Sequence, residues 1–510
     1  MGNCLKTMKT YPNSDELPEA KHVDFKFDNS FARELEGFFV PCKAAKVPDP
    51  SILMFNKELA KELSLDPATL QTSLGAKIFS GNLLPDGATP LAQAYAGHQF
   101  GHFSPQLGDG RALLLGEIID TQGKRQDMQL KGSGRTPFSR GGDGKAALGP
   151  ILREYLISEA MYALGVPTTR SLAAVTTGED VVRETAIPGA ILTRISASHL
   201  RVGTFEFFAA RDQTDMVRRL ADYAIARHYP AAQQSKNPYL EFFKSVASAQ
   251  TTLVAHWMSI GFIHGVMNTD NTAISGQTID YGPCAFMDTF SPKTVFSSID
   301  TQGRYAYGNQ PSILLWNLMR LAETLVKLVD VNEDRSIELL TDEAKNLASA
   351  YDEIWLTNMR AKIGLKTNKN GDAALIQKLL DAMQEGEADF TLTFRKLSDA
   401  IRGESTAARR QFKNPELFDL WENDWRPRLE QEPIPNKDRA VEMDKVNPLY
   451  IPRNHRVEEA LSKAVDHGNL SVFEDLLSVV SAPFEEVTGN ERFAEPAPKT
   501  SVPYQTFCGT

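Results

Sequence analysis

The sequence predicts an α+β fold in two parts, a small antiparallel sheet followed by a larger helical region. Between about residues 90 and 200, apolar runs such as ALLLGEII and AILTRIS are separated by Gly-rich turns, a pattern typical of strands joined by tight connections. From about residue 212 the apolar residues recur at helical spacing, as in MVRRLADYAIARHY and SILLWNLMRLAETLVKLV. This change in the spacing of the apolar residues separates the predicted sheet from the predicted helices.

Breaks in composition divide the chain into four predicted segments. The segment GPILREYLISEAMYALG predicts one helix inside the sheet region, at about 149–164, with Pro150 in its first turn and Gly165 at its end. In the helical region, the polar, Pro-rich stretch 425–439 is expected to interrupt the helices. The predicted segments are an extension that wraps the core (1–85), a sheet lobe (86–205), a helical lobe (206–487) and an extended tail (488–510).

Composition excludes several classes of protein. At 510 residues, 42% of them hydrophobic, the chain can bury a large core, and its net charge of -10 argues against a nucleic-acid partner bound by a broad basic surface. No apolar run of about 18 residues occurs, so we expect no membrane span. The four cysteines are widely spaced and form no CxxC pair, which indicates neither a zinc site nor a disulfide scaffold. We expect a cytoplasmic monomer, or a mitochondrial one if the source is eukaryotic.

The stretch HGVMNTDNTAISGQTIDYG, residues 264–282, has the spacing of a kinase catalytic loop. Asn271 follows His264 by seven residues, and the triplet that begins at Asp280 resembles the kinase metal-binding triplet. Val266, however, occupies the position of the catalytic aspartate. The amide oxygen of Asn271 and the carboxylate of Asp280 are ligands suited to Mg²⁺ held jointly with nucleotide phosphates. The loop therefore predicts a metal and phosphate site that lacks the usual base.

Asp270 is the carboxylate nearest in sequence to the missing base. It is a candidate for activating a hydroxyl, although a loop-capping aspartate would have the same sequence pattern. For His264 we favour a buried structural role that braces the loop over a catalytic one.

Two features of the sheet region fit a phosphate site. Gly108, Gly110 and Arg111 open an apolar strand, where backbone N–H groups can approach a phosphate, although a hairpin turn alone gives this pattern. Lys131 ends an apolar segment, and Glu154 follows 23 residues later on the predicted helix. Together they predict a Lys-Glu ion pair of the kinase type, whereas either residue alone is equally compatible with a solvated surface charge.

Between Lys131 and Glu154 the chain has a second Gly-rich loop, GRTPFSRGGDGKAALG. Its basic residues Arg135, Arg140 and Lys145 suit an anionic ligand, and a turn is expected at Asp143 and Gly144; a mobile loop without a ligand is the alternative.

Arg194 and Arg201 lie seven residues apart in TRISASHLR, so a helix there would present both guanidinium groups to one side for bidentate phosphate contacts. The ordered set of Gly-rich turn, strand lysine, helix glutamate, Asn271 and Asp280 predicts a protein-kinase-like two-lobe fold with a small antiparallel-sheet N-lobe and a large helical C-lobe.

Six stretches then carry a resemblance to a known family: YAGHQFG, LGDGR, QLKGSGRTPFSRGGDG, REYLISEAM, HGVMNTDN and DYGPCAFMD, in this order. The chain resembles the selenoprotein O family from residue 27 to its C-terminal cysteine. This resemblance implies a pseudokinase fold that binds ATP in a flipped orientation. It also implies transfer of AMP to Ser, Thr or Tyr hydroxyls of proteins, with release of pyrophosphate.

The resemblance also implies roles for individual residues. Asn271 and Asp280 would coordinate Mg²⁺, with Mn²⁺ as an alternative, Asp270 would be the proton acceptor and Glu154 would orient Lys131. If the terminal phosphates point inward, Lys131 and the arginines neutralise the departing pyrophosphate. The residues implied to hold ATP are Gly108, Gly110, Arg111, Lys131, Asp143, Gly144, Arg194, Arg201 and Asp280.

A further implication concerns two cysteines, because some family members carry a thiol or selenol near the C-terminus. Cys284 directly follows the Asp-Tyr-Gly triplet and Cys508 lies near the chain end, so the resemblance implies a reversible disulfide that restrains the active-site loop. Two alternatives to AMP transfer stay open: a kinase-like phosphotransferase, which the Val266 substitution opposes, and an inactive ATP-binding scaffold.

Overall fold

A computed structural model describes residues 23–498 and 504–506 of the chain. The described residues form a mixed fold of strands and helices. The strands are β1 (Phe39–Pro41), β2 (Ser51–Phe55), β3 (Leu91–Gln93), β4 (Gly97–Gln99), β5 (His102–Ser104), β6 (Ala112–Ile119), β7 (Arg125–Lys131), β8 (Ala146–Ala147), β9 (Arg170–Val182), β10 (Ala186–Ser196), β11 (Phe262–Ile263) and β12 (Ala285–Phe286).

One antiparallel sheet dominates the N-terminal half, as the sequence predicts. Its strand order is β1-β3-β6-β7-β10-β9-β2, with β8 paired to β10, and every pairing is antiparallel. Both edge strands, β1 and β2, come from the segment predicted to wrap the core. The boundaries of the four predicted segments stay predictions.

The helices of the described residues are concentrated after residue 200. They are α1 (Ser30–Glu34), α2 (Lys57–Glu62), α3 (Pro67–Leu70), α4 (Ser73–Phe79), α5 (Leu148–Ala163), α6 (Val202–Ala209), α7 (Thr214–His228), α8 (Pro238–Ile260), α9 (Gln310–Val329), α10 (Glu333–Lys362), α11 (Asp372–Glu385), α12 (Phe390–Ile401), α13 (Thr406–Arg409), α14 (Pro415–Glu430), α15 (Asn436–Val446), α16 (Asn454–His467) and α17 (Ser471–Val480).

Both faces of the sheet are buried, because successive side chains of a strand point to opposite faces. On β6, Leu113 and Leu115 face a core formed with the N-terminal helices, while Leu114 faces the main core that includes α5 and the C-terminal helices. Twelve of the sixteen residues of α5 are buried, and the helix packs against β9, β10, α16 and α17. The predicted helix at 149–164 is thus confirmed. Because α5 is buried between the sheet strands on one side and α16 and α17 on the other, the position of Glu154 on it is fixed.

One local expectation was wrong and a second was right only in part. Arg194 and Arg201 do not share a helix, because Arg194 lies in β10 and Arg201 immediately precedes α6. The stretch 425–439 interrupts the helices only between α14 and α15, because α14 continues past Pro427. Trp421 and Trp425 of α14 are fully buried and their rings stack, so packing outweighs the cost of about 3 kcal/mol that a helix-interior proline carries. No helix in residues 23–498 is long and apolar enough to cross a bilayer.

Candidate active site

A cavity of about 640 Å³ lies between the sheet and the loop at 264–282. Its wall contains residues from both Gly-rich loops, from the β7 and β10 strands and from the kinase-like loop. Nearly every residue predicted from the sequence to bind nucleotide or metal therefore faces one space. The predicted residues in the wall are Gly108, Gly110, Arg111, Lys131, Asp143, Gly144, Arg194, Arg201, Asp270, Asn271 and Asp280.

The two Gly-rich loops pack against each other at the cavity. Gly108 has a left-handed φ of 72°, and a Cβ there would lie 2.3 Å from the Phe138 ring. Gly144 has a φ of 66°, and a Cβ there would lie 2.1 Å from the carbonyl oxygen of Gly134. Glycine is required at both positions because contacts this short exclude any side chain.

Lys131 is at the centre of a buried charge network. At the end of β7, its Nζ contacts the Glu154 carboxylate and lies 2.9 Å from Oδ1 of Asp280. Glu154 also accepts a hydrogen bond of 3.2 Å from Arg194. The predicted Lys-Glu contact is present and joins the sheet to α5, while the contact of Lys131 with Asp280 joins the sheet to the kinase-like loop. Buried charges are stable only when paired in this way.

Asp280 is held ionised in an unusual backbone conformation. Its φ of 67° is left-handed, which costs free energy for a residue other than glycine and occurs often at functional sites. Burial alone would raise its pKa, but the positive charges of Lys131 and Arg111 outweigh burial and hold the pKa of Asp280 well below its usual range. Its Oδ2 lies 3.5 Å from the side-chain nitrogen of Asn271. The carboxylate is therefore available to a cation at any physiological pH.

The donor set fits a cation shared with a ligand. Within residues 23–498 and 504–506, no three His, Cys, Asp or Glu side chains cluster as a metal site. Asp280 and Asn271 offer two oxygen ligands, and Mg²⁺ is usually held by one or two carboxylates while substrate phosphates and water complete its octahedron. Their side chains fit this pattern once the Asn271 amide turns its oxygen inward.

Asp270 differs from Asp280 in its surroundings. It is 8% exposed, and burial raises its pKa to about 6, although the charge of Arg201 opposes the rise. Gln99 donates a hydrogen bond of 3.2 Å to Oδ2, while Oδ1 is buried and has no hydrogen-bond partner within the described chain. Val266 supplies only an apolar side chain to the wall. Asp270 thus combines an unsatisfied acceptor with a pKa near neutrality, as a general base requires.

His264 stays behind the cavity wall. Its Nε2 lies 2.9 Å from the carbonyl oxygen of Ile279, its backbone N–H donates to Gln310, and the residue is fully buried. These contacts tie the start of the loop to the segment before Asp280, which is the structural role we favoured.

Arg201 reaches the cavity together with residues that sequence reasoning did not select. Its guanidinium group lies 4.2 Å from the centre of the Tyr95 ring, and 3.7 Å separates its Nη2 from Oδ1 of Asp109. Arg183 pairs with Asp143 at 2.8 Å on the second Gly-rich loop. Asp109 lies in a motif whose chemistry was assigned to its neighbours, and neither Tyr95 nor Arg183 has a distinctive sequence signal.

Cys284 is buried next to the loop. Its Sγ lies 3.3 Å from the carbonyl oxygen of Tyr281, and burial raises its thiol pKa to about 12. Thr506 donates a hydrogen bond of 2.7 Å to the carbonyl oxygen of Pro283, directly before Cys284. Cys508 lies outside the described residues, so its pairing with Cys284 stays a prediction.

Comparisons with known proteins show the family of the chain. A family model described as "Protein adenylyltransferase SelO" matches residues 21–481. A curated protein of Cereibacter sphaeroides, named protein nucleotidyltransferase YdiU, is 59% identical over 490 residues, which cover 96% of this chain and 100% of that protein. Proteins of the same name from Bradyrhizobium diazoefficiens and Rhizobium meliloti are each 54% identical, covering 96% and 95% of this chain and 100% and 99% of their own lengths.

Proposed function

The chain belongs to the SelO family of protein adenylyltransferases, and on that premise we propose that it transfers AMP from ATP to Ser, Thr or Tyr hydroxyls of other proteins. The observation that carries the proposal is the composition of the cavity. Its basic wall, its pair of metal-type ligands and Asp270 line the same space. This arrangement serves a transfer in which charged phosphates leave and a hydroxyl loses its proton.

The proposed orientation of ATP places its terminal phosphates against the basic wall. Lys131, Arg111 and Arg194 line the cavity, and Gly108 and Gly110 allow the backbone to approach a phosphate. The basic side chains neutralise the charge that develops on the leaving pyrophosphate. In this flipped orientation the α-phosphorus is directed to the incoming hydroxyl.

In the transfer step, the hydroxyl oxygen forms a bond to the α-phosphorus while the bond from that phosphorus to the bridging oxygen breaks. Asp270 accepts the hydroxyl proton, and the pyrophosphate leaves along the basic wall. Mg²⁺ held by Asn271 and Asp280 supplies charge neutralisation on the phosphates when bound. Positioning and electrostatics supply most of the catalysis of such transfers, which explains why Val266 at the usual base position is tolerated.

Several further features belong to the same proposal. The sheet and the helical region correspond to the N-lobe and C-lobe of a kinase-like fold, with the cavity in the position of a nucleotide site. Gly144 and Asp143 hold the second Gly-rich loop over the phosphates. We propose that the enzyme acts as a cytoplasmic monomer with Mg²⁺, with Mn²⁺ as the alternative metal.

A disulfide between Cys284 and Cys508 would regulate this site. The contact of Thr506 with Pro283 supports it, because Thr506 is two residues from Cys508 and Pro283 adjoins Cys284. Oxidation joins the two sulfurs and passes two electrons and two protons to an oxidant such as oxidised glutathione. Peptide mapping of oxidised protein without reducing agent should show a 284–508 crosslink, and its absence would reject the proposal.

Labelled ATP separates the proposed activity from its alternatives. With a protein extract as acceptor, ATP labelled at the α-phosphate should give protein-bound label, whereas ATP labelled at the γ-phosphate should give none. Protein-bound γ label would identify a kinase-like phosphotransferase. If ATP binds but neither label is transferred, the chain is a scaffold.

A further inference from the structure

The segment YAGHQFG forms a hairpin, β4 and β5, that lies against the kinase-like loop. Consecutive residues of this hairpin bind consecutive residues of the loop. The His98 N–H donates to Oγ1 of Thr269 at 2.7 Å, and the Gln99 side chain donates to Oδ2 of Asp270 at 3.2 Å. The N–H of the next residue, Phe100, donates to Oδ1 of Asn268 at 3.1 Å.

The fit of the hairpin depends on a glycine next to Asp270. A Cβ on Gly97 would lie 2.8 Å from Oδ1 of Asp270 and 3.0 Å from its Cβ. The backbone of β4 therefore touches the same carboxylate whose other oxygen Gln99 binds. Any side chain at Gly97 would push Asp270 away from its present position.

A second set of hydrogen bonds fixes the hairpin from behind. Glu206 of α6 bonds both to Nδ1 of His98 and to Oγ1 of Thr269, which closes a ring of contacts with the His98 N–H. The Tyr305 hydroxyl donates to Oδ1 of Asn268 at 2.6 Å. The hairpin is thus anchored to α6 and to the loop before α9. These contacts hold the backbone that carries Gln99 in place.

We propose that Gln99 is a positioning residue for Asp270: its amide donates a hydrogen bond to Oδ2 and so holds the carboxylate at the cavity wall in the orientation from which it accepts the proton of the acceptor hydroxyl. The inference rests on the proposed function, because it assigns the proton to Asp270. An ionised carboxylate only accepts hydrogen bonds, so the Gln99 atom that faces it is the amide nitrogen. Since Gln99 and Asp270 both line the cavity, their contact lies at the reaction site.

The Gln99→Met variant tests this assignment, because methionine keeps the length of the side chain and removes the donor. A hydrogen bond to a charged group contributes enough that kcat for AMP transfer should fall about 10- to 100-fold. The KM for ATP should change less than about twofold, because the side-chain hydrogen bond of Gln99 goes to Asp270.

A double variant gives the readout that a merely structural role would not move. If Gln99 acts through Asp270, Gln99→Met should lower kcat in the wild-type background and cause no further loss in the Asp270→Asn background. Gln106→Met, at an exposed position that follows the same hairpin, is the matched control and should leave kcat unchanged.

The outcomes separate the inference from the function on which it rests. If Asp270→Asn retains full activity, Asp270 is not the proton acceptor and the proposed mechanism fails. If Asp270→Asn is impaired but Gln99→Met keeps the wild-type kcat, or lowers kcat by the same factor in the wild-type and Asp270→Asn backgrounds, the positioning role is overturned. If Gln99→Met folds poorly by thermal melt, the same comparison of kcat in the two backgrounds with Gln99→Glu decides the question.

Discussion

At the scale of single residues, two aspartates in one cavity are tuned in opposite directions. Burial raises the pKa of Asp270, whereas the charges of Lys131 and Arg111 outweigh burial at Asp280 and lower its pKa. One carboxylate is thus suited to take a proton and the other to hold a cation. Divergent pKa values of neighbouring carboxylates are a common basis for assigning such roles.

The pKa of Asp270 predicts the pH dependence of activity. Because the carboxylate must be ionised to accept a proton, kcat/KM should fall as the pH drops below about 6. Asp270→Asn should lower kcat by about 10²- to 10⁴-fold and abolish this limb. Steady-state rates between pH 5 and 8 check both. If kcat/KM of Asp270→Asn still falls below about pH 6, another group is responsible for the pH dependence.

Asp280→Asn should remove the response to Mg²⁺. The neutral amide is a poorer ligand and also leaves Lys131 without one of its two carboxylates. Transfer should drop at least about 100-fold, and added Mg²⁺ should not restore it. Transfer rates of the wild-type enzyme and of Asp280→Asn, measured across a Mg²⁺ titration, check this prediction. If the Mg²⁺ concentration that gives half-maximal rate is the same for both, the metal binds elsewhere.

Single residues also show where sequence reasoning stops. Lys131, Asp270, Asn271 and Asp280 could be selected because each chemistry requires a specific residue type at a specific spacing. Gln99 could not, since an isolated glutamine carries no such requirement and reaches Asp270 only after the β4 hairpin docks on the loop.

At the scale of elements, helix α5 connects the charge network to the protein core. It carries Glu154, which binds Lys131 and Arg194 in the cavity wall. It also carries Glu159, which lies outside the cavity wall and whose carboxylate oxygen is 2.8 Å from a guanidinium nitrogen of Arg170. Both glutamates are buried, so the helix offers a matched pair for separating stability from function.

Glu154→Gln should raise the KM for ATP by about 10-fold or more and destabilise the fold by about 2–4 kcal/mol, because Lys131 and Arg194 lose a charged partner. Glu159→Gln should destabilise comparably but leave the KM for ATP unchanged. Thermal melts and ATP titrations of the two variants check the prediction. An equal loss of ATP affinity in both would assign the effect to general destabilisation.

Helix α10 ends in a buried lysine that has no carboxylate partner among the described residues. Lys362 is 3% exposed, its Nζ lies 4.5 Å from the centre of the Phe394 ring, and burial lowers its pKa to about 7. The unfolded chain keeps the usual pKa of 10.5. The fold therefore loses stability as the pH falls from about 10.5 to 7, and no more below 7.

Lys362→Met should accordingly stabilise the protein, by on the order of 5 kcal/mol at pH 7, and the gain should vanish above about pH 10.5. Lys345→Met, on an exposed face of the same helix, should have little effect at either pH. Denaturant unfolding at pH 7 and pH 10 measures the difference. A gain that does not depend on pH would contradict the buried-charge explanation.

The elements themselves were predictable to different degrees. The apolar periodicity of α5 predicted its position within one residue at each end. The placement of Arg194 was not predictable, because it depends on the antiparallel register of β10 with β7, where Arg194 faces Gln129. Local sequence does not encode such long-range pairing. It also did not indicate that the packing of two buried tryptophans would allow α14 to continue past Pro427.

At the scale of the whole molecule, the active cavity forms only where distant parts of the chain meet. The first Gly-rich turn, the β4 hairpin, the β7 lysine, the α5 glutamate and the kinase-like loop come from separate segments spread over almost 200 residues. Their order along the sequence predicted that they belong to one site. The distances between them, and therefore the contacts of Gln99 with Asp270 and of Asp109 with Arg201, required the folded chain.

The identity of the leaving group tests the central claim most directly. Phosphorus NMR of a reaction of the enzyme, ATP and acceptor protein distinguishes pyrophosphate from ADP without any label. AMP transfer predicts one pyrophosphate for each AMP bound to protein, and no ADP above the level without enzyme. Stoichiometric ADP with phosphate bound to the acceptor would contradict the account, because it would show that the γ-phosphate, and not AMP, had been transferred.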